Sequence, residues 1–143
     1  MALNLRPLGT MRVFPGFWTS HDGPLAIRSA TRIDSVEWST DLLGDVTMEI
    51  GMGTYLQGPH AAHVSVQLAL RTADGTQFFF KYISVGEMEP HIRGETPVML
   101  AGQIEIDPAN EAYAWLNRVQ LVGRGMLTTE PLCQTYEMAY LGD

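Results

Sequence analysis

Apolar and polar residues alternate along most of this chain. In "HVSVQLALRT", Val64, Val66, Leu68 and Leu70 share one parity, while His63, Ser65, Gln67, Ala69 and Arg71 share the other. A period of two predicts a strand with one face on an apolar interior. "ADGT" then supplies an Asp-Gly turn, and "QFFFKYISV" resumes the extended pattern, which predicts a hairpin. Similar runs are "PLAIRSATRIDSVEW", "DVTMEIGMGTYL", "TPVMLAGQIEI", "AYAWLNRVQLVG" and "CQTYEMAYL", with an early strand inside "LRPLGTMRVF". Breaks rich in Gly, Pro and Asp separate them, and "DPANEAYAW" has room for a short helical turn. About eight evenly spaced strands without a long helix predict an all-β, antiparallel barrel or sandwich. A closed barrel is favoured because it leaves no strand edge exposed. No linker or repeat divides residues 1–143, so one domain is expected.

Composition narrows the classes of partner. At 45% hydrophobic and 17% charged residues, the chain has the apolar content for a core. The net charge is −7, and the nine Lys and Arg residues form no cluster. Nucleic acid and anionic membrane surfaces are therefore not expected partners. Cys133 is the single cysteine, which excludes an internal disulfide and a Cys-based zinc motif. A reducing compartment, the cytoplasm, is the expected location, since no signal-like or membrane-spanning window is present.

At "YAWLNRVQLVGRG" the chain resembles a bacterial and fungal domain-of-unknown-function family of small calycin-like β-barrels. The resemblance rests on Tyr113, Trp115, Leu116 and Asn117, followed by Val122, Gly123 and Gly125. It extends to Leu70, Arg71, Thr72, Asp74 and Gly75 at the hairpin, and to Tyr82 and Gly86 beyond it. "GPHAAHVSVQ" departs from the family, which usually carries an Asp-Trp pair there and an Arg where Gln67 stands. The resemblance implies an antiparallel, about eight-stranded calycin-like barrel, and such barrels frequently hold a small apolar ligand.

Polar residues set in apolar strands are the candidates for chemistry. Strand parity places Tyr113, Trp115 and Asn117 together. The Asn117 amide then either ties down backbone or donates to a ligand carbonyl between aromatic walls. Parity also groups Glu49 with Thr47, Gly51, Gly53 and Tyr55, where two glycines leave room beside a carboxylate. In a dry interior that carboxylate would suit general acid–base work, and in water it is a solubilising charge. His63 could act alone as acid or base, or lie on the surface. With His60 it forms His-x-x-His, but residues three apart on a strand point to opposite faces, so no metal site is expected. Phe78, Phe80 and Tyr82 share a face; Lys81 should reach water, so Tyr82 should point inward and need a hydroxyl partner. Tyr136, Met138 and Tyr140 are expected core residues.

The favoured expectation is a cofactor-independent isomerase, cyclase or lyase acting on a small hydrophobic or aromatic carbonyl compound inside the barrel. Glu49 or His63 would move the proton, Tyr82 and Asn117 would polarise the carbonyl, and Tyr55, Phe80, Tyr113 and Trp115 would form walls. The alternatives are a non-catalytic carrier of a small apolar metabolite and a solidly packed barrel that serves a homo-oligomer.

Overall fold

The computed structural model describes residues 2–142. Its strands are β1 (Asn4–Asp22), β2 (Ile27–Thr40), β3 (Gly44–Gln57), β4 (Ala62–Arg71), β5 (Gln77–Gly86), β6 (Val98–Ile106), β7 (Gln120–Thr129) and β8 (Leu132–Gly142). Each pairs antiparallel with its sequence neighbour, and β8 returns to β1, closing an eight-stranded barrel. A short helix, α1 (Met88–Ile92), lies between β5 and β6, and a 3-10 turn over Ala114–Arg118 precedes β7. Among the described residues, no helix is long and apolar enough to cross a membrane.

The expected alternation holds along β4 and β5. Val66, Leu68, Leu70, Phe78, Phe80 and Tyr82 are buried, while His63, Ser65, Gln67, Arg71 and Lys81 are exposed. β3 breaks its own parity. Its register with β4 shifts between Met48 and Ile50, so Glu49 is an extra residue at a β-bulge. Val46 faces inward before the bulge and Gly51 and Gly53 after it, which turns Ile50 and Met52 to the outside, 71% and 56% exposed.

Side-chain size sets the character of the two barrel ends. One end is filled by Met11, Trp38, Leu68, Leu70, Phe80, Ile104, Leu121 and Met138, with Leu116 of the 3-10 turn plugging it. The Trp38 indole N–H donates to the Leu8 carbonyl at 2.8 Å, and its ring lies 5.6 Å from Phe80. Burying each such side chain contributes about 1.5–3 kcal/mol. The opposite end carries smaller inward residues (Ser29, Thr31, Gly53, Val64, Val66, Ser84), and there the barrel stays open.

The segment "AYAWLN" is not part of a strand. The Asp107 carboxylate accepts from the Ala109 N–H and the Asn110 side chain from the Tyr113 N–H, so these residues initiate turns. β6 pairs with β7 only from Val98 to Gly102, leaving the end of β6 without a strand on that side. Asn117 supplies the missing pairing. Its Oδ1 accepts from the Ile106 N–H at 2.8 Å and its Nδ2 donates to the Ile106 carbonyl at 2.9 Å. Gln120 adds a bond from Nε2 to the Gly102 carbonyl at 2.9 Å.

Replacing Asn117 strands both polar groups of a buried residue's backbone. Asn117→Ala is therefore expected to lower stability by about 1–3 kcal/mol in urea denaturation while leaving ligand binding unchanged. An unchanged midpoint would contradict this clamp.

Candidate functional site

The open end of the barrel holds a cavity of about 300 Å³. Its walls are mainly apolar: Val13, Pro15 and Trp18 of β1, Ile33 of β2, Val64 and Val66 of β4, Leu127 of β7 and Leu132 of β8. Tyr55 adds an aromatic wall from β3, and Met88 and Ile92, four apart on α1, cover part of the mouth. Apolar lining with a few placed polar groups is the usual make-up of a small-molecule site.

The polar groups concentrate on β5 and β8. Tyr82 and Tyr136 lie at the inner end of the cavity, their rings 5.8 Å apart in an edge-on arrangement. The hydroxyls of Tyr136 and Ser84 are hydrogen-bonded at 3.0 Å, deep in the wall. Burial is the main cause that pushes the Tyr136 phenol up to about 12, against smaller opposing effects of its bonds to Ser84 and Tyr82. Burial, then the neighbouring Tyr136, also raises the Tyr82 phenol well above its ordinary range. Both phenols thus keep their protons at any physiological pH, and with Ser84 they form a hydrogen-bonded chain of hydroxyls in a low-dielectric pocket.

Two glycines make this arrangement fit. A Cβ on Gly125 would stand 2.5 Å from Cε1 of Tyr136, and one on Gly102 would stand 2.6 Å from Cβ of Tyr82. The Tyr136 ring therefore lies over bare backbone of β7, and bare backbone of β6 at Gly102 makes room for the Tyr82 Cβ and the edge of the Phe80 ring.

Behind the wall, His91 of α1 is fully buried. Its Nδ1 meets the Thr96 carbonyl at 2.9 Å. Its Nε2 meets the side-chain amide of Gln134, which lines the cavity, at 2.7 Å from Nε2 and 3.0 Å from Oε1.

A family model described as a protein of unknown function, DUF3237, matches residues 3–139. The chain belongs to that family. No curated protein matches it. Among solved structures, a conserved protein of unknown function from Rhodopseudomonas palustris is similar at TM-score 0.81 and 17% identity, covering 99% of each chain. A β-barrel-like protein from Acinetobacter baumannii has TM-score 0.82 at 17% identity over 99% of this chain and 98% of its own. An enzyme from Penicillium herquei has TM-score 0.69 at 15% identity over 96% of both chains. At these identities the likeness carries the fold of the DUF3237 barrel.

Of the residues expected at a site, Tyr55 and Tyr82 line the cavity of this DUF3237 chain. Phe80 lies deeper, wholly buried between Trp38 and Tyr82. Glu49 is on the outer wall, because the bulge turns it away from Gly51 and Gly53. There it accepts from Gln77 at 2.9 Å and pairs with Arg71 at 3.3 Å; the Gln77 bond, then Arg71, holds its carboxyl below the usual range against partial desolvation. His63 is also exposed on the outer face. Tyr113, Trp115 and Asn117 were expected inside the barrel, and they sit at the plugged end instead, because their segment is a turn. The Trp115 N–H donates to the Ala112 carbonyl at 3.1 Å, and its ring packs edge-on against Tyr140 at 5.4 Å.

The residues missing from the expected set are Tyr136, Ser84, Gln134 and His91. Parity along β8 carries a signal for two of them, since it puts the amide of Gln134 on the face of Tyr136 and Met138. Among the described residues, no group of three or more His, Cys, Asp or Glu side chains could hold a metal ion.

The buried phenols give the site a pH signature. Unfolded tyrosines lose their protons near pH 10, whereas the folded pair retains them to higher pH. Above pH 10 the native state therefore binds more protons than the unfolded state, and stability falls by up to about 1.4 kcal/mol per pH unit for each phenol. Tyr136→Phe is expected to flatten the decline in melting temperature between pH 9 and 11.5. Parallel declines in variant and parent would show that Tyr136 is not held protonated.

Proposed function

We propose that the open end of the barrel binds a small hydrophobic or aromatic carbonyl compound and that the chain is a cofactor-independent isomerase, cyclase or lyase acting on it. The observation that carries this reading is the pair of protonated phenols, Tyr82 and Tyr136, backed by Ser84 at the inner end of an apolar cavity. Three hydroxyls joined by two hydrogen bonds leave one O–H to donate, and in a pocket of low dielectric that donor suits a carbonyl oxygen that gains negative charge during reaction. The enzyme from Penicillium herquei with the same fold lends support to a catalytic role.

The proton chemistry follows from what lines the cavity. Among the described residues, the cavity lining includes no carboxylate, imidazole or amine. Glu49 and His63, on the outer wall, are therefore not the acid and base of this reading. The tyrosines act as electrophilic donors, and the base is a group of the substrate itself or a water. A substrate carrying its own nucleophile or acidic C–H fits this division of work best. The same lack of an enzymic base supports a second reading, a non-catalytic carrier of the same kind of molecule.

Compounds captured from cell extract and identified by mass spectrometry are expected to be apolar and to contain a carbonyl. Conversion to a product of equal mass and different retention would mark an isomerase or cyclase. Tyr136→Phe is then expected to lower kcat by about 10²-fold and affinity by less than about tenfold. A loss confined to affinity, with no turnover in the parent protein, would establish the carrier.

A further inference from the structure

The function proposed above leaves one built feature unused. His91 is buried outside the cavity lining and touches the cavity only through Gln134. The Thr96 carbonyl can only accept, so the His91 Nδ1 facing it must carry a proton. In the neutral imidazole Nε2 is then an acceptor. It must receive a hydrogen from the Gln134 NH2 group, which stands 2.7 Å away. The Gln134 carbonyl oxygen, 3.0 Å from the same nitrogen, has no hydrogen to accept from that imidazole. Among the described residues no other donor reaches it. A polar atom of a cavity-lining residue is thus left as an acceptor, and its orientation is held by a histidine that the ligand does not touch.

The threonines of the wall lack this fixity. The hydroxyls of Thr31, Thr54 and Thr129 can rotate to donate or accept. Gln134 cannot exchange its two ends while His91 holds the NH2 group. Gln134 and Tyr136 are two apart on one face of β8, so their backbones are separated by about 7 Å along the strand. That is roughly the span of one substituted aromatic ring.

We infer that Gln134, oriented by His91, selects ligands that carry a hydroxyl or N–H donor about one ring away from the carbonyl held by Tyr82 and Tyr136. Hydroxyaryl ketones, or enols of that size, are the class with both groups. Gln134 is the residue that touches the ligand, and His91 is a positioning residue behind it. The inference rests on the carbonyl-binding reading above.

Three probes separate the two ideas: acetophenone, 3-hydroxyacetophenone and 4-hydroxyacetophenone, with dissociation constants measured by NMR titration at pH 7, where both probe phenols keep their protons. At least one hydroxylated probe is expected to bind the parent protein about three- to tenfold more tightly than acetophenone. Gln134→Leu is expected to remove that preference, bringing the ratio of hydroxylated-probe affinity to acetophenone affinity to about one. Gln134→Glu, which keeps an acceptor, should retain it. His91→Leu, which frees the amide to turn, should reduce the preference without abolishing acetophenone binding. Circular dichroism and the acetophenone affinity itself report whether each variant is folded. Acetophenone binding with no hydroxyl preference, or with a preference that survives Gln134→Leu, overturns the Gln134 inference and leaves the carbonyl site standing. Binding of none of the three to the parent protein overturns both.

Discussion

An eight-stranded barrel has an interior little wider than its own side chains, so the size of the inward residues decides whether a ligand can enter. Everything else in this molecule depends on how that interior is shared. Trp38, Phe80, Met11 and Leu70 consume it at one end, and Leu116 closes that end. Gly53, Thr31, Ser84 and two valines leave it unfilled at the other. The packed end supplies the stability, and the open end is free to be polar. The boundary between them is aromatic, running from Trp38 through Phe80 and Tyr82 to Tyr136.

That boundary explains why tyrosine stands where the core ends. A phenylalanine would pack as well on the core side, but it would present no donor to the cavity. A tyrosine buries its ring and places the hydroxyl at the interface of packed and open space. Gly125 allows the Tyr136 ring to lie close to β7, and Gly102 allows the Phe80 ring and the Tyr82 Cβ to lie close to β6, without displacing backbone. Steric emptiness on one strand therefore sets the electrostatics contributed by its neighbour.

The strand pattern was legible wherever regular pairing persists. The β4–β5 hairpin, the inward turn of Tyr82 beside a solvated Lys81, and the grouping of Gly51, Gly53 and Tyr55 all follow from a period of two. Glu49 falls outside that last group because of a β-bulge, which leaves no mark in a local pattern yet reverses the parity of everything beyond it. Asn117 was misplaced for a different reason. Asp107, Pro108 and Asn110 start turns ahead of it, so strand parity does not govern this segment, and its aromatic residues pack as a plug. The amide does serve one of its two expected roles, since it ties down backbone. Gln134 and Tyr136 can be grouped by parity, but His91, the partner of Gln134, comes from α1, 43 residues away, and only the closed barrel brings it into contact.

The central claim is that the buried phenols polarise a carbonyl at the inner end of the cavity. The most direct measurement is the carbonyl 13C resonance of labelled acetophenone bound to the protein. Donation from the phenol pair should move that resonance downfield of its position in an apolar solvent, and Tyr82→Phe combined with Tyr136→Phe should return it. A bound resonance at the apolar-solvent position in the parent protein would contradict the account.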